Sequence, residues 1–181
     1  MLSTAYAKKR RNPQVRLPWY LRRKLVALLV SAVVMAGGFF FCKGKVLQVV
    51  DGDTVVVLNG AGKIEKVRLY GIDCPESRQA GGQEAMTFAR DLLLFSSVSL
   101  SVVETDQYGR SVAVVRLQDG RLANEELVKA GHAWVYRSYC KEAICASWYA
   151  YERRAKKQSL GLWNRKNPTP PWQWRRANPR R

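Results

Sequence analysis

Two short segments of this chain place acidic side chains at the ends of apolar, β-branched runs. The first reads Val49-Val50-Asp51-Gly52-Asp53-Thr54, and the second reads Arg68-Leu69-Tyr70-Gly71-Ile72-Asp73-Cys74-Pro75-Glu76. Carboxylates at the ends of two strands can converge on one hard cation. The arginine beside them suits an anionic substrate, because a guanidinium fork matches phosphate oxygens. Together these residues predict metal-assisted chemistry on a phosphodiester.

Asp53 and Asp73 are the candidate metal ligands, since calcium and magnesium prefer carboxylate and carbonyl oxygens. Glu76 lies three residues after Asp73, across a turn braced by proline, and could hold the attacking water. A purely structural interpretation also stands. Asp51 and Asp53 could simply shape a turn, while Asp73 and Glu76 cap the following helix.

Two arginines are candidate phosphate contacts. Arg68 lies late in an otherwise apolar strand, and Arg110 directly follows the turn residues Tyr108 and Gly109. Either guanidinium could bind phosphate oxygens in a bidentate manner. Taken singly, an arginine at either position is more often a surface residue, so the argument depends on the two acting together.

The net charge of +17 comes mostly from the two ends of the chain. Residues 1–24 hold eight basic residues and residues 164–181 hold six, and neither segment has an acid. The 14 acidic residues share the middle with 17 basic ones, which leaves about +3 there. The overall charge is therefore a weak argument that the folded domain binds nucleic acid.

Residues 25–42 form an apolar segment of 18 residues without a charge, which is about the minimum length for a membrane span. The basic block before it predicts a cytoplasmic N-terminus and an exported remainder. Two interpretations remain open. Residues 25–36 could be the core of a signal peptide cleaved after Ala36, giving a secreted protein. We favour an uncleaved anchor with an exocytoplasmic domain, because Phe39, Phe40 and Phe41 extend the apolar run.

Four cysteines in an exported protein permit disulfides. Cys140 and Cys145 are the favoured pair because they lie close in sequence beside a polar turn. Two cysteines within one helix could not bridge, so the pairing requires a loop and a helix that starts near Cys145. Two separate thiols are the alternative. Two cysteines and the single histidine, His132, make a poor zinc ligand set.

Hydrophobic periodicity predicts an α+β domain with five short strands. The strands are expected at Lys43–Val50, Thr54–Leu58, Lys63–Tyr70, Val98–Val103 and Ser111–Leu117. The helices are expected at Gln83–Phe95, Glu125–Ala130 and Ala146–Ser159, with Asn124 as the N-cap of the second. Five antiparallel strands of this size suit a small closed barrel.

Three motifs in register resemble the staphylococcal nuclease (thermonuclease) family. They are Asp51-Gly52-Asp53-Thr54, the stretch from Arg68 through Asp73-Cys74-Pro75-Glu76, and Asp106-Gln107-Tyr108-Gly109-Arg110. The segments Asn124–Gly131 and Leu160–Trp163 are similar to the second helix and the C-terminal end of that family. The resemblance covers about residues 43–163.

The resemblance implies an OB-fold five-stranded β-barrel with three helices and a calcium-dependent nuclease that cleaves DNA and RNA, leaving 3′-phosphate ends. It implies that Asp53, Asp73 and the backbone carbonyl of Cys74 bind Ca²⁺, and that Asp51 is an acid near the metal. It further implies that Glu76 is the general base. Arg68 and Arg110 would contact the phosphate and share the catalysis with Glu76.

The resemblance has two departures. Cys74 replaces the threonine of the founding member, which preserves a backbone ligand but loses a hydroxyl. The region from Trp134 to Cys145 also differs, so we transfer no base-stacking residue. We interpret residues 1–24 as a basic arm, 25–42 as the anchor or signal, 43–163 as the nuclease domain and 164–181 as a basic tail.

The partners expected from the sequence are a DNA or RNA substrate and a membrane, and no protein partner is inferred. The main alternative is an inactive nucleic-acid-binding OB module tethered to a membrane. Such modules lose their catalytic carboxylates or arginines, whereas this chain keeps both sets.

Overall fold

The computed structural model describes residues 41–179, with side chains from residue 43 onward. The strands are β1 Phe41–Asp51, β2 Thr54–Asn59, β3 Ile64–Leu69, β4 Ile72–Asp73, β5 Ser97–Thr105, β6 Ser111–Leu117 and β7 Trp134–Val135. Five of them close a barrel in the order β1-β2-β3-β6-β5, and β4 pairs with β7 in a separate two-stranded sheet. The predicted α+β class and the five-stranded barrel are confirmed.

The described part of the chain has four α-helices rather than the predicted three. They are α1 Gly82–Leu93, α2 Ala123–Lys129, α3 Cys145–Lys157 and α4 Pro171–Ala177, with a 3₁₀ helix at Gly161–Asn164. The additional helix, α4, lies in the segment that the sequence analysis treats as a basic tail. It begins with proline at its first position, where the missing N–H costs no hydrogen bond.

One strand pairing differs from the prediction. The strands were expected to be antiparallel throughout, but β3 and β6 are parallel, with Val67 opposite Ser111 and Leu69 opposite Ala113. The chain leaves β3 through α1 and returns by the β5–β6 hairpin, so β6 runs beside β3 in the same direction. This register brings the residues just before β6 close to the end of β3.

Valine and leucine side chains fill the barrel interior and are almost fully buried. They include Val46, Val55, Val57, Val67, Leu69, Leu100 and Val115. Helix α1 closes one side of this core with Ala85, Ala89 and Leu93, whose spacing of four residues places them on one helical face. The helical periodicity read from the sequence is therefore confirmed for α1.

Asn124 is not the N-cap of α2. The helix begins one residue earlier, at Ala123, and Leu122 occupies the cap position without a side-chain cap bond. The Asn124 side chain is fully buried, donates to the carbonyls of Tyr70 and Ala113, and accepts the N–H of Val115. It ties the end of β3 to β6, because buried backbone groups beyond the regular ladder still need partners.

A disulfide joins Cys140 to Cys145, with the two Cα atoms 5.8 Å apart. Helix α3 begins at Cys145, so the bridge closes a loop before the helix, as the spacing requires. The Tyr70 hydroxyl also accepts the N–H groups of Lys141 and Glu142 in this loop. These two hydrogen bonds attach the loop to Tyr70, which directly follows β3.

The apolar segment at residues 25–42 falls almost entirely outside the described residues. Its last two residues, Phe41 and Cys42, belong to β1 and pair with Ser101 and Leu100, so the barrel starts earlier than the predicted boundary at residue 43. Within residues 41–179, none of the helices has the length and apolar character needed to span a bilayer.

Candidate active site

The β1–β2 turn carries Asp51, Gly52 and Asp53. A side chain at Gly52 would lie 2.7 Å from Cys74 Cβ and 3.1 Å from Ala85 Cβ. Glycine therefore allows this turn to pack directly against the segment after β4 and against α1. Asp51 accepts the N–H of Asp53 at 3.0 Å, so Asp51 shapes the turn and thereby orients Asp53.

Asp53, Arg68 and Asp73 form one connected group. The two Nη atoms of Arg68 donate to Asp53 Oδ1 and, at 2.7 Å, to Asp73 Oδ1. The second oxygen of Asp53 accepts the Cys74 N–H at 2.7 Å. Both carboxylates are buried, at 2% and 0% exposure. The structure thus brings together the two acids that the sequence analysis proposed as metal ligands, and it places Cys74 beside them.

Burial dominates the electrostatics of this group. It raises the pKa of Asp53 to about 8, against the opposing positive charge of Arg68. Burial also tends to lower the pKa of Arg68, but the charges of Asp53 and Asp73 outweigh it and raise that pKa. Arg68 is therefore a permanent cation, whereas burial makes the charged form of Asp53 less favourable than it is in water.

Glu76 does not cap the helix that follows it. Helix α1 starts six residues later, behind Gly81, which has no side-chain cap bond. The Glu76 Oε1 atom instead accepts a hydrogen bond of 2.9 Å from Arg175 Nη1. The second nitrogen of Arg175 donates to Asp73 Oδ2 at 2.8 Å. The capping interpretation is therefore wrong.

Arg175 was not among the predicted site residues, because it lies in α4, about 100 residues after its partners. A signal for this helix was present in the sequence. Pro171 can start a helix, and Trp172 and Trp174 give the tail apolar surface to bury. The high positive charge of residues 164–181 instead indicated a basic tail without a helix.

Arg110 lies on a second wall, at the turn between β5 and β6. Asp106 Oδ1 accepts the N–H groups of Tyr108 and Arg110, which fixes the turn. Asp106 Oδ2 accepts from Arg110 Nε at 2.7 Å, and the guanidinium carbon lies 5.4 Å from the Tyr108 ring centroid. The side chain of Arg110 is held in place by its own turn.

One cavity of about 860 Å³ connects these walls. Its lining includes Asp51, Glu76, Arg68, Arg110 and Arg175, together with the aromatic residues Tyr108, Tyr136, Tyr139 and Trp174. Asp53 and Asp73 are buried, and they are bonded to the cavity-lining Arg68. The cavity combines three guanidinium groups, carboxylates and aromatic rings, which are the groups that bind phosphates and bases.

Comparison with known proteins agrees with this geometry. The family model described as staphylococcal nuclease homologue matches residues 66–165. The chain belongs to this family. A micrococcal nuclease from Shigella flexneri is 38% identical over 163 residues, which cover 86% of this chain and 92% of that protein. An uncharacterized endonuclease from Escherichia coli O157:H7 is 35% identical over 132 residues, covering 73% of this chain and 84% of that protein.

A plant relative is similar to this chain over a shorter region. The probable staphylococcal-like nuclease CAN2 from Oryza sativa subsp. japonica is 37% identical over 111 residues, which cover 61% of this chain and 29% of that protein. The range matched by the staphylococcal nuclease family model includes Arg68, Asp73, Glu76 and Arg110. It ends before Arg175, which lies outside the matched range.

The carboxylate oxygens at this site are the type of ligand that a hard divalent cation prefers. Two carboxylates are fewer ligands than such a cation needs. Asp53 and Asp73 are two buried carboxylates that converge on one cationic group, and such oxygens suit calcium. Within residues 41–179, no three acidic, histidine or cysteine side chains are arranged as a metal cluster. A backbone carbonyl, such as that of Cys74, and water would have to complete the coordination.

His132 has a packing role in this family member. Its ring lies 4.8 Å from that of Phe88, and burial lowers the pKa of His132. It is absent from the cavity lining, so the chemistry of the site does not involve this histidine.

Proposed function

We propose that this chain is a calcium-dependent phosphodiesterase that hydrolyses DNA, RNA or both. One observation carries the proposal: Arg68 bonds to the buried pair Asp53 and Asp73 and lines a cavity that Glu76 and Arg110 also line. In this proposal the two acids bind the cation, Glu76 is the base and the two arginines bind the phosphate, all around one space. Names of nuclease or endonuclease in the relatives support the same reaction.

Glu76 is the general base in the proposed mechanism. Its carboxylate takes a proton from water, and the water oxygen attacks phosphorus in line with the leaving group. The bond to the 5′ oxygen breaks, the 5′ oxygen takes up a proton from solvent to become a hydroxyl, and the other product keeps a 3′-phosphate. Arg68 and Arg110 approach the phosphate from two walls of the cavity and stabilise the negative charge that accumulates during attack.

Asp53, Asp73 and the Cys74 carbonyl would hold the calcium ion. When bound, calcium supplies positive charge that stabilises the phosphoryl oxygens. Arg68 bonds to both carboxylates, so it orients them for the ion while its exposed edge faces the cavity. Asp51 acts through the turn, because its bond to the Asp53 N–H fixes the position of the ligand.

The aromatic lining supports a nucleic-acid substrate over a small phosphodiester. Tyr139 is more than half exposed, and Tyr136 lies beside it with ring centroids 4.8 Å apart. Nucleobases stack on such rings without a strong sequence preference. The proposed enzyme would therefore accept many sequences.

Export and membrane anchoring are the proposed cellular setting. The disulfide between Cys140 and Cys145 supports an oxidising compartment. The basic arm and the apolar segment support an anchor with its catalytic domain outside the cytoplasm, or a secreted enzyme if that segment is cleaved. An exocytoplasmic space would also provide calcium at the millimolar level that a weak site needs.

An inactive nucleic-acid-binding module is the second candidate. The bond between Glu76 and Arg175 favours it, because a base engaged by a guanidinium is less available to water. The two functions separate in a cleavage assay on single-stranded DNA with the full-length protein, in calcium and then in excess chelator. A nuclease should cut in calcium and stop with the chelator. Binding without cleavage in calcium would favour the module, and equal cleavage in both conditions would exclude this site as a cation-dependent centre.

A further inference from the structure

Helix α4 brings a third guanidinium to the cavity that Arg68 and Arg110 line. The side chain of Arg175 is 36% exposed and donates to both oxygens of Asp73 and to Glu76 Oε1. The two acids raise the pKa of Arg175, although its partial burial acts in the opposite direction. Its charge is therefore permanent at any working pH.

The position of α4 does not depend on Arg175 alone. The ring of Trp172 stacks on Tyr136 with centroids 5.1 Å apart and planes at 4°. The buried side chain of Gln79 donates to the Thr169 carbonyl at 2.6 Å, and Pro171 is buried. These contacts would hold the helix at the cavity even if the hydrogen bonds from Arg175 to Asp73 and Glu76 were broken.

The carboxylate of Asp73 is covered by guanidinium donors. Oδ1 accepts from Arg68 at 2.7 Å and from Arg175 at 3.2 Å, and Oδ2 accepts from Arg175 at 2.8 Å. A divalent cation on Asp73 would stand beside both cations, and like charges at such distances repel strongly in a partly buried site. Cation binding should therefore release Arg175, which sits at the cavity edge, more readily than the deeper Arg68.

We propose that Arg175 is a further substrate-binding residue, which exchanges Asp73 and Glu76 for a phosphate oxygen of the nucleic acid strand when a divalent cation binds. The inference rests on the proposed function. It follows from two points together: a cation on Asp73 is expected to repel the guanidinium, and the remaining contacts of α4 would keep that guanidinium at the cavity. The exchange also removes the Arg175 hydrogen bond from the Glu76 carboxylate, which favours its receiving a proton from water.

The proposal predicts opposite changes in two affinities. Arg175→Ala should bind calcium about tenfold more tightly without nucleic acid, because a competing cation has gone. In saturating calcium it should bind a phosphorothioate oligothymidylate about tenfold more weakly, since a charged hydrogen bond to phosphate is lost. Titration calorimetry measures the first affinity, and fluorescence anisotropy the second.

Arg176→Ala is the matched control. Arg176 is the next residue of the same helix, is exposed, and loses the same charge on substitution. It should bind calcium like the wild type and the oligonucleotide within about twofold. Arg175→Lys should recover part of the oligonucleotide affinity, because lysine keeps the charge but not the bidentate fork. Circular dichroism checks folding, and Arg175→Gln replaces the alanine variant if the latter does not fold.

Three results would overturn the inference. If Arg175→Ala binds both ligands as Arg176→Ala does, while the wild type binds calcium and cuts DNA, Arg175 has no such role and the proposed function stands. If Arg175→Ala cuts faster with unchanged oligonucleotide affinity, Arg175 only inhibits the site and does not bind the substrate. If the wild type neither binds calcium nor cuts, the proposed function and this inference both fail.

Discussion

Arg68 and Asp73 are joined by a 2.7 Å ion pair in which the acid is fully buried and the base is 20% exposed. The same guanidinium also bonds to Asp53. Arg68, which lines the cavity, is therefore ion-paired with both of the carboxylates that are proposed to hold the cation. Removing any one of them changes the charge balance of the other two.

Glu76→Gln should cut about 10²–10⁴ times more slowly than the wild type, because the amide cannot accept the proton from water. Substrate affinity should hold or improve, since a negative charge beside the phosphate has gone. Single-turnover cleavage and oligonucleotide binding, both in calcium, measure the two effects. Glu84→Gln is the control, because Glu84 is exposed and pairs with Arg165 away from the cavity lining. Wild-type cleavage by folded Glu76→Gln would contradict the nuclease proposal.

Arg68→Ala and Arg110→Ala should both lower the cleavage rate, but only the first should strongly reduce stability. Loss of Arg68 leaves two buried carboxylates without their shared cation, and breaking a buried pair costs about 3 kcal/mol. Arg110 pairs with a partly exposed Asp106, so its loss should cost less than about 1 kcal/mol. Urea unfolding in the presence of a chelator compares the two variants. Equal stability losses would show that Arg68 does not hold the buried acids together.

Asp53→Asn should lose stability at low pH, because its NH₂ group must face either Arg68 or the Cys74 N–H, and this deficit should shrink as pH rises in the absence of a cation. The pKa of Asp53 rises from 3.8 to about 8 on burial, so the folded state prefers the protonated acid. Its contribution to stability is complete below about pH 4 and is lost as pH rises through 8. The asparagine does not ionise, so the difference in unfolding free energy between it and the wild type should shift in favour of the asparagine by more than about 1 kcal/mol between pH 4.5 and pH 9, since one pKa unit corresponds to about 1.4 kcal/mol.

Thermal unfolding in chelator from pH 4.5 to 9 measures this effect. Asp119→Asn provides a control of opposite sign, because hydrogen bonds from Arg121 lower the pKa of Asp119. That variant should gain no stability as pH rises. A stability difference between Asp53→Asn and the wild type that stays constant, or moves against the asparagine as pH rises, would show that Asp53 is fully ionised in the folded protein.

Asn124→Ala should destabilise the fold by about 2–3 kcal/mol. The substitution leaves the carbonyl of Tyr70 and the N–H of Val115 without their buried partner. Asn164→Ala, at an exposed position of the 3₁₀ helix, should change stability by less than about 0.5 kcal/mol. Urea unfolding measures both variants. Similar losses in the two would mean that the Asn124 bridge contributes little.

Local sequence pattern was sufficient for most of the barrel. β-Branched residues are frequent in the strands, and the Asn59 side chain accepts the N–H groups of Ala61 and Lys63 in the hairpin between β2 and β3. Helix α1 follows from its apolar spacing. These features depend on neighbours within a few residues, which a sequence displays directly.

The sequence by itself determined the strand runs, the turns and the site residues that lie in short motifs, because the forces that fix them act locally. Only the tertiary structure decided the parallel pairing of β3 with β6, the buried bridge made by Asn124 and the arrival of Arg175 at Asp73. Each of these joins segments that the chain separates, and the burial of charge or backbone that makes them necessary exists only after folding. A basic tail has no visible partner in the sequence, and its partners are the carboxylates that the barrel assembles.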